Sequence, residues 1–221
     1  MSANMVWLIW AATLDTLFMV AVSGAIGIAL GAPLGVFLAT SRKGELFSAP
    51  YVNRLLGLVV NATRSTPFII LVVAIIPFTR LVTGTSIGTT AAIVPLTVAT
   101  IPFVARLVES SIREVDPGLV EAARAMGASP AQIVWKVLVP EARPSIVLGL
   151  TLTIVSLIGY SAMVGAVGGG GLGDLGIRYG YQRFMPEMML AVVVVLIVLV
   201  QIVQTSGDLL ARRFDKRSRK N

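Results

Sequence analysis

Five apolar stretches fill most of the chain, at about residues 14–40, 55–78, 87–108, 146–167 and 188–206. At about 1.5 Å of rise per helical residue, about 20 apolar residues cover the roughly 30 Å hydrocarbon core of a bilayer. Inside lipid the backbone must satisfy its own hydrogen bonds, so such stretches read as helices and the chain as an all-α, polytopic membrane helix bundle. The charged share is 13%, where a soluble domain carries about 25%. Pro67, Pro77, Pro95 and Pro102 fall in the second and third stretches. They are tolerable there because neighbouring helices re-satisfy the freed carbonyls. Residues 1–10 hold no Lys or Arg, so the basic start of a secretory signal is missing. Trp7 and Trp10 suit a water–lipid boundary instead.

Basic residues set the expected orientation. One side of the membrane receives Arg42, Lys43 and Arg54, then Arg106, Arg113, Arg124, Lys136 and Arg143, then six more from Arg212 onward. The other side receives Arg80, Arg178 and Arg183, and Arg64 is expected inside the start of the second span, near the basic end. Fourteen against three predicts an N-terminus outside and a C-terminus in the cytoplasm. The chain shows no period of 20–50 residues and no low-complexity linker, so it reads as one domain, 1–221. Within it lie a membrane core at about 12–207, a hydrophilic cytoplasmic segment at about 116–140 and a basic tail at 208–221. That tail follows a span directly, which fits anionic lipid rather than nucleic acid.

The chemistry available excludes most enzyme classes. There is no His and no Cys, which removes the commonest acid–base group and all thiol chemistry. None of the four lysines completes a G-x-x-x-x-G-K-[ST] phosphate loop, and the run Gly168 to Gly171 has no following Lys. That run reads as a tight turn with close backbone approach, or as a gating or receptor contact. Ser23, Gly27, Gly31 and Gly35 recur every four residues, a spacing that lets helices approach closely, within one subunit or between two. Arg106 and Glu109, one turn apart, read as a helix-surface pair. Mid-span charges of the kind ion-coupled carriers use are few.

The segment 116–140 carries its own punctuation. Asp116 before Pro117 is an N-cap with proline at the first helical position. Gly127 supplies a stop, and Ser129 with Gln132 is spaced as a capping box. Ile133, Val134, Val137 and Leu138 share one face of the second helix, which Pro140 is expected to end. Two short helices joined at a glycine corner result. Each is too short to stand alone in water, so an apolar face must dock, on this chain's own spans or on a partner.

Glu121-Ala122-Ala123, then Gly127, then Val137, Val139 and Pro140 resemble the EAA motif of ABC importer permeases, E-A-A, three residues, G, nine residues, I-x-L-P. Val137 and Val139 depart from the motif's Ile and Leu, and both remain apolar. The resemblance extends over nearly the whole chain to the permease family of methionine importers. It is carried by Arg64-Ser65-Thr66-Pro67-Phe68-Ile69-Ile70, by Gly84-Thr85-Ser86-Ile87-Gly88 with Ala92-Ile93-Val94-Pro95-Leu96-Thr97, and by Gly159-Tyr160-Ser161-Ala162-Met163. The resemblance implies a type I importer permease of five spans in a bacterial inner membrane. It implies a homodimer, two cytoplasmic ABC ATPase subunits that hold the ATP and Mg, an extracytoplasmic methionine-binding protein, and no cofactor in this chain. It assigns the EAA residues to ATPase coupling. Tyr160, Ser161 and Met163 are candidates for the lining or gate of the path, since hydroxyls and a soft thioether inside a span suit a small amphipathic solute. The alternatives are a permease for another amino acid or small solute, and an ion-coupled carrier or channel without ATPase partners.

Overall fold

The computed structural model describes residues 3–214, and these residues hold only helices, joined by turns and short loops. The basic residues Lys216, Arg217, Arg219 and Lys220 of the expected tail lie outside the described residues; residues 208–214 continue the last helix. Helix α1 (Ala3–Thr40) begins well before the apolar stretch expected from residue 14, because the uncharged segment around Trp7 and Trp10 is helical too. There follow α2 (Pro50–Ser65), α3 (Phe68–Ala74), α4 (Ile76–Thr83) and α5 (Thr89–Arg113). The helix pair comprises α6 (Pro117–Ala125) and α7 (Pro130–Ile133). A π-helical turn (Val134–Leu138) leads into α8 (Val139–Ala166); α9 (Gly171–Leu175) and a second π turn (Gly176–Tyr181) precede α10 (Pro186–Phe214).

Four of these helices are long and apolar enough to cross a membrane without interruption, and α2 with α3 makes a fifth if the bent pair counts as one span. The second stretch, expected as one span, is therefore broken: α2 and α3 meet at 104°. Thr66 is extended at φ −82° and ψ 124°, because the ring of Pro67 disfavours helical geometry in the residue before it. Pro140 behaves in the opposite way. It does not end the helix pair, since the π turn carries the chain through it without a break, with the Val139 N–H reaching back to the Val134 carbonyl. The wider turn relieves the demand for an i→i−4 bond that proline cannot make.

Helices α1 and α5 pack along most of their length, and the small-residue stripe makes this possible. A Cβ placed on Gly31 would lie 2.6 Å from the Ile101 carbonyl oxygen and 2.8 Å from Val104 Cβ. The stripe is thus a seam within one chain. One apolar cluster joins Val104, Val108 and Ile112 of α5 to Ala123, Ile133, Val134 and Leu138 of the helix-pair segment. A second, around Met19, Leu96, Leu157 and Ile158, fills the middle of the bundle. A third joins Ile9 and Ala12 to Leu172, Leu175, Met188 and Val192. The glycine run turns tightly, with positive φ at Gly168, Gly170 and Gly171. It tucks α9 against α1, where the Leu172 N–H donates to Thr16 Oγ1 at 2.9 Å. Much of α10 stays uncovered, including Leu190, Ile197 and Ile202, as expected of a surface solvated by lipid.

Candidate functional site

The helix pair is assembled by its local chemistry. Asp116 Oδ1 accepts from the Gly118 N–H at 2.8 Å, and Pro117 opens α6. Gly127 stands at φ +78°, the left-handed conformation that a side chain makes costly. The turn closes with the Ala128 N–H on the Ala123 carbonyl. Ser129 and Gln132 form both bonds of a capping box. The pair then presents two faces. Ala123, Ile133, Val134 and Leu138 are buried against α5, with Val137, Val139 and Pro140 half-buried beside them. Glu121, Ala122 and Gly127 are exposed, together with the large apolar side chains Leu119, Met126 and Trp135. Of the seven EAA-type residues, the structure therefore places four inward and three outward.

Beneath the pair lies an ionic cluster that the sequence only half announced. Glu109 is buried, with 3% of its surface exposed. It accepts from Arg42 at 3.0 Å, from Arg106 one turn away, and lies 3.7 Å from Arg113. The i, i+3 and i, i+4 spacings on α5 were legible, but the Arg42 contact spans 67 residues and was not. Arg106 also donates to the Gly57 carbonyl at 3.2 Å and to Asn61 Oδ1 at 3.0 Å, both on α2. Nearby, Asn53 Nδ2 donates to the Leu38 carbonyl and to Ser41 Oγ. The ends of α1 and α2 are thereby tied to α5 at the point where the chain leaves for the helix pair.

A cleft of about 770 Å³ opens beside this cluster, walled by α5 from Phe103 to Arg113 with Glu114 just past its end, by α8 from Ser145 to Leu152, and by Arg64 of α2. Arg64, expected near the basic end of its span, sits in the last turn of α2 on the same cleft as Arg106 and Arg113, its guanidinium 5.8 Å from the centre of the Phe103 ring. Phe103 is ten residues before the end of α5, roughly 15 Å deep along the helix.

The three residues considered for the path are dispersed. Ser161 is buried and donates to the Ile158 carbonyl at 2.7 Å within its own helix. Tyr160 is half-buried and stacks on Phe68, centroids 4.4 Å apart at 17°. Met163 is 49% exposed. None of them lines the 770 Å³ cleft.

Comparison with known proteins gives a consistent picture. The family described as binding-protein-dependent transport system inner membrane component matches residues 31–220. A probable D-methionine transport system permease protein MetI of Vibrio cholerae is 60% identical over 210 residues, 95% of this chain and 93% of that one. The D-methionine transport system permease protein MetI of Escherichia coli K12 is 52% identical over 165 residues, 75% of this chain and 76% of that one. Among solved structures, a chain of the inward-facing MetNI methionine ABC transporter matches with a TM-score of 0.95 at 49% identity, covering 98% of this chain and 100% of its own. A chain of an amino acid ABC transporter crystallised with histidines shares the fold, with a TM-score of 0.80 at 21% identity over 95% of both chains.

Proposed function

This chain belongs to the family of binding-protein-dependent transport system inner membrane components, and on that premise we propose that it is the permease of an ATP-driven methionine importer. The observation that carries the reading is the two-faced helix pair. Its inner face is built into the bundle through Ala123, Ile133, Val134 and Leu138, while Leu119 and Met126 stay exposed on the helix pair whose corner is Gly127. A short rigid element of that kind passes the displacement of a partner to α5 and α8 as a rigid-body motion. The chain has no phosphate loop of its own, so ATP and Mg belong to the ATPase subunits that dock there.

Two copies of the permease enclose the path, since each chain offers only a thin wall of helices. The helix-pair end, with most of the basic residues, faces the cytoplasm. A binding protein delivers methionine at the opposite face. ATP binding shifts the population between outward- and inward-facing arrangements, and a solute moves only because it contacts the two states differently. The fold shared with an amino acid ABC transporter favours one second reading, import of another amino acid.

Co-reconstitution with the cognate ATPase and binding protein in liposomes tests the proposal. ATP-dependent uptake of labelled methionine is expected, with excess unlabelled methionine competing and other amino acids competing weakly. Uptake of a different amino acid with no methionine uptake establishes the second reading, and uptake without any ATPase subunit overturns both.

A further inference from the structure

The cleft between α2, α5 and α8 has a graded charge. From the helix-pair end inward, it is lined by Glu114 at the cap of α5 and then by Arg113, Glu109, Arg106 and finally Phe103 along that helix. Both carboxylates belong to the outer part and both are engaged: Glu109 by three arginines, Glu114 by the Ser145 hydroxyl at 3.3 Å. The inner part holds Arg64 against Phe103 and no acid. Among the described residues, Arg64 has neither a carboxylate in salt-bridge range nor a side-chain hydrogen bond. Phe103 lies six residues before Glu109, roughly 9 Å along the helix, and its ring faces the Arg64 guanidinium within the range of cation–π attraction. Arg64 is exposed on the cleft wall with its donors unspent, and an unpaired ionisable side chain within the spanning part of a membrane protein marks a substrate path. The adjoining walls, Leu107, Leu148 and Leu152, are apolar.

We propose that Arg64 is a substrate-binding residue that takes the α-carboxylate of the transported amino acid at the inner end of this cleft. A guanidinium fork matches a carboxylate with two parallel N–H···O bonds, and the leucine wall accepts an unbranched thioether side chain. The proposal rests on the reading of the chain as an amino-acid importer permease. It adds Arg64 of α2 to the residues that meet the substrate, opposite the leucines of α5 and α8.

The chain contains no cysteine, so Ser110→Cys, on the exposed wall of the cleft, gives each permease chain one reporter thiol in the full permease–ATPase complex. Alkylation of this chain by a water-soluble maleimide is followed by mass spectrometry. L-Methionine is expected to slow alkylation, and L-methioninol, which carries CH2OH in place of the carboxylate, is expected not to. Adding Arg64→Gln should abolish the protection by methionine, while Arg64→Lys should keep part of it. Equal protection by the two ligands, no protection by either, protection surviving Arg64→Gln, or a reporter that never reacts each overturns the proposal. Failure of the importer reading shows separately, as loss of ATP-dependent methionine uptake by the unsubstituted complex.

Discussion

Three arginines, two from α5 and one from the loop after α1, converge on the buried Glu109 carboxylate. Removing its charge leaves three cations without their shared partner, and the penalty grows with their burial. Arg42 and Arg113 keep about 40% of their side chains exposed, whereas Arg106 keeps 23%. Water therefore compensates the first two more readily. Glu109→Gln is expected to destabilise the detergent-solubilised permease by about 1–3 kcal/mol. Arg42→Gln should lower the melting temperature less than Glu109→Gln, and equal or reversed shifts would show that the cluster is not the source. Gly127 is a different kind of residue-scale constraint, because nothing lies within 4 Å of where its Cβ would sit. Only its backbone at φ +78° resists a side chain, at about 1–2 kcal/mol. Gly127→Val should leave membrane insertion intact and reduce both co-purification of the ATPase and uptake. Normal values for both measurements would remove the corner from the coupling element.

At the scale of elements, the α1–α5 seam and the helix pair make opposite demands. The seam requires the absence of side chains. Gly31→Leu would drive a branched chain into the Ile101 carbonyl and Val104, and overpacking of this kind costs about 1–3 kcal/mol or more. Its expected outcome is a lowered melting temperature of the isolated permease, because the contact lies inside one chain. A change confined to dimer dissociation would instead place the stripe between subunits. The helix pair requires side chains that its own chain leaves bare. Met126 is 82% exposed, so Met126→Asp should leave the helical content and melting temperature unchanged while weakening ATPase co-purification. Wild-type co-purification would contradict a docking role for the outer face. Caps and corner of this element were readable from residues 116–132, because each cap bond spans only two or three residues. The sequence was misleading at Pro140, where a π turn, not a stop, carries the chain into α8.

Across the whole molecule, the basic residues gather at the end where α5 leaves for the helix pair, and α10 finishes with Arg212 and Arg213. Asymmetry of that sign and size predicts that this end faces the cytoplasm. A reporter active only in the cytoplasm, fused after Asn221, should give signal, and the same reporter before Met1 should give none. Signal from the N-terminal fusion would overturn the orientation. Helix α1 is 38 residues long, about 57 Å, well beyond the roughly 30 Å of hydrocarbon. It therefore extends past the hydrocarbon core, and the exposed Trp7 and Trp10 suit a water–lipid boundary near its N-terminal end.

Hydropathy windows alone determined that the chain is helical and membrane-spanning, and cap chemistry alone located the helix pair with its glycine corner. Both follow from forces acting over one helical length or less: the transfer of apolar residues into lipid, and hydrogen bonds between near neighbours. The tertiary structure decided the rest. It bent α2 from α3 by 104°, sent Ser161 inward and Met163 outward on one helix, joined Arg42 to Glu109 and set Arg64 beside Phe103. These pairings bridge 67 and 39 residues of chain. Their partners are chosen by how whole helices pack, a choice that residue type and spacing do not encode locally.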